Sequence, residues 1–122
     1  MQTSAKVRIE TPDNVTFEDG FQFGDPLDTT WSLTGQSFRM DIKGSKEDTV
    51  PKLSLTSGAG QIVTDNAVLR VVHMNVPDSV LRANLVPGKY FYDFIMYDAS
   101  VPPIRVALMH GTFEMTHGVT GD

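Results

Sequence analysis

The sequence predicts an all-β fold: an antiparallel β-sandwich of immunoglobulin-like kind, with one short helix near residues 77–85. Three observations carry this. In the closing third of the chain Tyr90, Tyr92, Phe94 and Met96 alternate with Phe91, Asp93, Ile95 and Tyr97, and after a break at Asp98–Pro103 the alternation resumes at Ile104, Val106 and Leu108, with Gly111, Phe113 and Met115 following. Aromatic and β-branched residues in such alternation mark strands, here a long hairpin in the middle of a sheet. Turn-forming residues recur roughly every ten residues, the spacing of sandwiches and barrels, and divide the chain into about seven to nine short strands. One segment alone has helical spacing.

Each element has a local reason. Val7 and Ile9 alternate with Lys6, Arg8 and Glu10, which predicts a first strand over Ala5–Glu10. It is expected at a sheet edge, where unpaired backbone groups are open to a neighbour. Residues 1–10 therefore read as a docking arm, and deleting them is expected to leave the domain folded. Thr11-Pro12-Asp13-Asn14 is a turn, because proline presets φ and Asp and Asn bond back to the backbone. Val15 and Phe17 pair briefly before Glu18-Asp19-Gly20, and Phe21 and Phe23 alternate again. Gly24-Asp25-Pro26 breaks the chain ahead of Trp31 and Leu33. Past the Thr34-Gly35 turn, Phe38, Met40 and Ile42 alternate with Arg39, Asp41 and Lys43, a half-buried strand. The polar stretch Gly44–Pro51 is a loop, Leu53 and Leu55 sit on a short strand, and Ser57-Gly58-Ala59-Gly60 turns the chain. Gln61–Thr64 is short and Asp65-Asn66 turns it once more.

Ala67–Met74 reads as a strand with Val68, Val72 and Met74 on one face and Leu69, Val71 and His73 on the other. Apolar residues on both faces predict cover by a second subunit or a neighbouring protein. Pro77–Leu85 is a helix of two turns: Pro77 and Asp78 suit its start, and Val80, Leu81 and Leu85 fall at helical spacing. Pro87-Gly88 stops it. Trp31, Phe38, Met40, Tyr90, Phe94 and Leu108 are the expected core, and residues 118–122 a tail.

Composition narrows the function. The chain has 122 residues, which suits one domain, and a formal charge of −5. Its Lys and Arg residues are scattered along the sequence without a basic stripe, which disfavours binding along a nucleic-acid backbone. There is no cysteine, hence no disulfide and no thiolate chemistry. The first residues lack the apolar core of a signal peptide, and no apolar run reaches membrane-spanning length. A soluble protein made in a cytoplasm is expected, without a membrane partner.

No constellation for catalysis stands out. His73, His110 and His117 lack the helical spacing of a zinc motif. No serine elbow is present, and Gly58 and Gly60 lack the lysine of a phosphate loop. Glu18-Asp19, Asp25 with Asp28, and Glu47-Asp48 fall in expected loops, where turn formation by Asp25 outweighs a calcium site. Tyr90, Phe91, Tyr92, Phe94 and Tyr97 suit a core or an interface better than a sugar platform. Asp93, set between Tyr92 and Phe94, must face solvent, a partner or a buried donor, and a turn or Arg105 is the expected one. No catalytic residue, cofactor or metal is assigned.

The order and spacing of certain pieces carry a resemblance. Gly24-Asp25 precedes Trp31, Leu33, Thr34, Gly35, Phe38, Met40 and Ile42; Leu85, Pro87, Gly88, Tyr90, Tyr92 and Asp93 follow later, then Gly111, and Gly118-Val119-Thr120 closes. This pattern resembles small all-β structural proteins of tailed bacteriophages and the N-terminal modules of phage baseplate and fibre proteins, over about residues 21–120. The resemblance implies a virion component of the tail, baseplate or fibre-attachment region. Such a component works by assembly with other virion proteins and as a homo-oligomer. A capsid cement protein or a glycan-binding module on a host surface are the alternatives. The specific elements, Leu33-Thr34-Gly35 and Pro87 to Asp93, also have a structural reading: each turns the chain into a core strand.

Overall fold

Tyr90, Tyr92, Phe94 and Met96 all face inward from one strand, as their alternation requires, and the rest of the sandwich is built around them. The computed structural model describes residues 4–118. Its strands are β1 (Ala5–Lys6), β2 (Ile9–Pro12), β3 (Phe17–Gln22), β4 (Ser37–Lys43), β5 (Leu53–Thr56), β6 (Ile62–Asn66), β7 (Val71–Val76), β8 (Gly88–Tyr97) and β9 (Arg105–Thr116), and the helix is α1 (Asp78–Asn84). The larger sheet has the order β1-β9-β8-β4-β5, with β2 also on β9, and the smaller has the order β3-β7-β6. This is the immunoglobulin-like arrangement: the central strands of one sheet are G, F and C, extended by C′, and the other sheet carries B, E and D.

The corner between β7 and β8 is characteristic of the fold. Tyr90 opens β8, and its hydroxyl donates to the Val86 carbonyl at 2.6 Å and accepts from the Val86 N–H at 3.1 Å. A tyrosine near the start of strand F, bonded back to the backbone a few residues upstream, is the tyrosine corner. Two residues on, where antibody domains carry the second cysteine of their inter-sheet disulfide, stands Tyr92. Phenylalanines tie the sheets together instead. Phe17 of β3 meets Phe113 of β9 edge-on at 5.5 Å, and Phe94 of β8 lies 5.5 Å from Phe23 and 5.8 Å from Phe38. Of the expected core, Phe38, Met40, Tyr90, Phe94 and Leu108 are buried, but Trp31 is only half-buried.

Several expectations need correction. The N-terminal segment is two short strands, and both run parallel to β9, so the large sheet is not wholly antiparallel. It also completes the core: Ile9 is buried and Val7 packs against the cluster. Removing residues 1–10 therefore strips a piece of the sandwich itself, which replaces the expectation that the domain folds without them. Thr11 and Pro12 extend β2, so the turn begins at Asp13. β3 runs unbroken through Glu18-Asp19-Gly20, because each of these residues is paired with β7. Ala67–Arg70 is a turn and β7 begins at Val71, so Val68 and Leu69 are exposed turn residues. Those two side chains therefore form no strand face for a neighbour to cover. A bulge at Phe94/Ile95 shifts the register with β9, which is why Leu108 and Met109 are both buried, while Ile104 lies before β9 and is exposed. Of the expected tail, residues 119–122 lie outside the described residues.

Gly111 explains the break between β1 and β2. The chain passes over it there: a β-carbon on Gly111 would stand 2.2 Å from the Val7 carbonyl oxygen. The Val7 N–H donates to the His110 carbonyl at 2.8 Å, and the Tyr92 hydroxyl donates to the Val7 carbonyl at 2.6 Å. Burial pushes the Tyr92 phenol well up, so the proton stays in place for this bond. Gly111→Ala is expected to cost about 1–3 kcal/mol, as forced overpacking does. Urea unfolding checks it; an alanine variant as stable as the parent would mean that the strand lifts away freely.

Arg70 is the largest departure from the expected surface of dispersed cations. It is fully buried, with a left-handed backbone at φ 60°. Its guanidinium donates to the carbonyls of Phe23 (2.7 Å), Asp28 (2.7 Å), Trp31 (3.0 Å) and Val68 (3.1 Å), and also to that of Asp25. It also lies 5.1 Å from the Trp31 ring. The loop from Gly24 to Trp31 is thus wrapped around one side chain.

Candidate functional site

The outer face of the large sheet is where the chemistry concentrates. Each strand there turns alternate residues outward: Lys89, Phe91 and Asp93 from β8, Lys43 from β4, His110 and Thr112 from β9, and Lys6 from β1. Phe91 is directly opposite Lys43 on one side and Thr112 on the other, and Lys6 is opposite His110. Lys46, in the loop after β4, brings its Nζ over the Phe91 ring at 5.3 Å. These residues line an open concavity of about 530 Å³. Four of the five lysines of the chain, Lys6, Lys43, Lys46 and Lys89, border it. The scatter of cations along the sequence is therefore not a scatter in space.

The lysines there carry free charge. Among the described residues none of the four lies within ion-pair distance of a carboxylate. Arginines are used differently: Arg8 pairs with Glu10 and Glu114, Arg39 with Asp41, and Arg82 with Asp78, while Arg70 serves backbone carbonyls. Four of the five arginines thus bond acceptors within the chain, while these lysines present point charges outward.

Among the described residues Asp93 is the one acidic side chain that lines the concavity. It stands opposite Asp41 on β4 and His110 on β9. Arg105, the donor expected for it, is paired with Tyr97 at the far end of the hairpin. Burial holds the Asp93 carboxyl above the usual range, Asp41 adds to this, and Lys43 and Arg39 offset part of it. A carboxyl whose pKa rises on folding is destabilising once ionised, and the penalty is absent below its unfolded value near about 3.9. Asp93→Asn is therefore expected to raise the thermal midpoint at pH 7 and leave it unchanged at pH 3. A lower midpoint at pH 7 would show instead that attraction to Lys43 dominates.

The other singled-out residues are structural. Leu33 and Phe38 are buried, Thr34 and Gly35 form an exposed turn with Gly35 at φ 75°, and Pro87-Gly88 leads into β8. Trp31 stacks beneath Arg70. Tyr92, Asp93 and Gly111 line the concavity, whereas Lys6, Lys43, Lys46, Lys89, Phe91 and Thr112 carry its chemistry without a sequence signal of their own. Asp25 and Asp28 accept from the N–H groups of Leu27 and Thr30, both at 2.9 Å, as turn-forming aspartates do. His73 bonds Asp65 at 2.7 Å, His110 bonds Ser4 at 2.7 Å, and His117 faces Asp13 at 3.3 Å. Among the described residues no three His, Asp or Glu side chains converge as a metal site would need.

Fold and site define a small immunoglobulin-like sandwich with a cationic outer face. No protein-family model and no curated protein matches the chain. Among solved structures it is similar to the V domain of amphioxus IgVJ-C2, at 10% identity and a TM-score of 0.28, covering 88% of this chain and 99% of that one. The immunoglobulin-like assignment rests on the strand order and the tyrosine corner described above.

Proposed function

We propose that the protein is a non-catalytic docking module, a structural component of a tailed-phage virion in the tail, baseplate or fibre-attachment region. The observation that carries the docking role is the concavity on the large sheet, where unpaired lysines surround a half-buried aromatic ring. A face of this kind recognises a partner by charge and by its aromatic floor. The virion setting rests on the sequence pattern from Gly24 to Thr120, whose members Thr34-Gly35, Pro87-Gly88 and Gly111 each have a definite backbone role in this fold. Self-association within the particle belongs to the same reading. Mass spectrometry of separated tail and head particles tests it. Enrichment with tails is the expected result. Enrichment with heads would favour a capsid cement role, and absence from both would remove the virion reading.

A further inference from the structure

We propose that the lysine concavity on the large sheet is the docking site for an extended acidic segment of a partner protein. The inference rests on the reading of the chain as a docking module and names the chemistry of what it docks. Three features point to this occupant.

The first is charge. The chain is acidic overall, at −5, yet Lys6, Lys43, Lys46 and Lys89 converge on one concavity. Removing these cations from the rest of the surface leaves it more acidic still, so the molecule is strongly polarised. Cations left without carboxylate partners hold their attraction for a ligand from outside.

The second is the floor. Phe91 lies between Lys43 and Thr112, with Lys46 above its ring. An extended peptide presents side chains alternately, so carboxylates can reach the lysine rim while an intervening apolar side chain covers Phe91. The volume of about 530 Å³ suits a short segment of this kind.

The third excludes a nucleic acid. A phosphate backbone needs a cationic track that continues beyond its first contact. Here the directions out of the concavity hold ion pairs rather than free cations, Arg8 with Glu10 and Glu114 and Arg39 with Asp41. Glu114 stands opposite Lys89 and beside Glu10, Asp41 stands opposite Asp93, and Asp93 is itself in the lining. A strand of phosphates leaving the site in those directions meets carboxylates.

The test uses the full chain and a fluorescein-labelled peptide of alternating Glu and Phe, read by fluorescence anisotropy at low salt. Its Gln counterpart and a labelled oligothymidylate are the comparison ligands. The Glu peptide should bind, the Gln peptide should not, and added salt should weaken binding. The double variant Lys43→Glu/Lys89→Glu should lose at least about tenfold in affinity, Asp93→Asn should gain, and Lys52→Glu, outside the concavity, should change little. These side chains are exposed or half-buried, and unchanged thermal midpoints in the lysine variants, with an undiminished one in Asp93→Asn, keep folding out of the comparison. Failure of the Glu peptide to bind overturns the proposal, as does binding indifferent to the double variant. Tighter binding of oligothymidylate, lost in the double variant, would make the site one for nucleic acid and overturn it equally. Peptide binding reports on the concavity alone, and particle fractionation on the virion setting, so either can fail without the other.

Discussion

Replacing Arg70 is expected to cost at least about 3 kcal/mol, because the buried carbonyls it serves would lose their donor and each unsatisfied group costs about 1–3 kcal/mol. Those carbonyls belong to Phe23, Asp25, Asp28, Trp31 and Val68, so the loss would be felt first in the loop between β3 and β4. An alanine keeps the strain that Arg70 already bears in its left-handed backbone at φ 60°, so Arg70→Ala reports the lost donor. Arg70→Gly also lacks the donor but relieves that strain, so it should lose less than Arg70→Ala. Urea unfolding of both variants decides the matter. An alanine variant within about 1 kcal/mol of the parent would show that water replaces the guanidinium and that the loop does not depend on it. Arg70→Lys should recover only part of the loss, because an ammonium cannot fan out to carbonyls on so many sides.

Phe94→Ala is expected to cost about 3–5 kcal/mol, the range for deleting a large buried ring. Phe94 is fully buried in β8, opposite Met40 on β4 and Met109 on β9, with Phe23 and Phe38 against its ring. It therefore joins the large sheet to the chain leaving β3. With no disulfide between the sheets, aromatic packing of this kind carries the link. Thermal and urea unfolding should both register the loss. A change under about 1 kcal/mol would mean that neighbouring methionines collapse into the space, since Met is the side chain best able to do so.

These two residues differ in how far the sequence announced them. Phe94 sits in an unbroken alternation, so its burial follows from strand geometry once the strand is recognised. Arg70 sits in a stretch, Ala67 to Met74, whose apolar content reads as continuous strand. Nothing local shows that the chain turns there or that a charged side chain goes inward. The deciding partners are carbonyls of residues 23–31, distant in sequence and supplied by a loop whose own residues form only turns.

The candidate site divides in the same manner. Tyr92, Asp93 and Gly111 stand out in the sequence, for an aromatic alternation, a charge within it and a glycine in a strand. Their roles were not readable. Tyr92 and Gly111 hold the Val7 backbone from below, and Asp93 faces Asp41 across two strands rather than Arg105.

What the sequence by itself determined is whatever depends on near neighbours: the two-face alternation of β4 and β8, the helix started at Pro77 and ended before Pro87, and the turns at Thr34-Gly35 and Ser57–Gly60. Side-chain periodicity and backbone preference act over a few residues, so a single chain displays them directly. The tertiary structure alone decided what depends on strand order. It ran β1 and β2 parallel to β9, sent Arg70 inward, and placed Lys6 beside lysines from β4, β8 and the loop after β4. Sheet pairing selects partners by complementary faces and register across the whole chain, and cations separated by dozens of residues become neighbours only when that pairing is made.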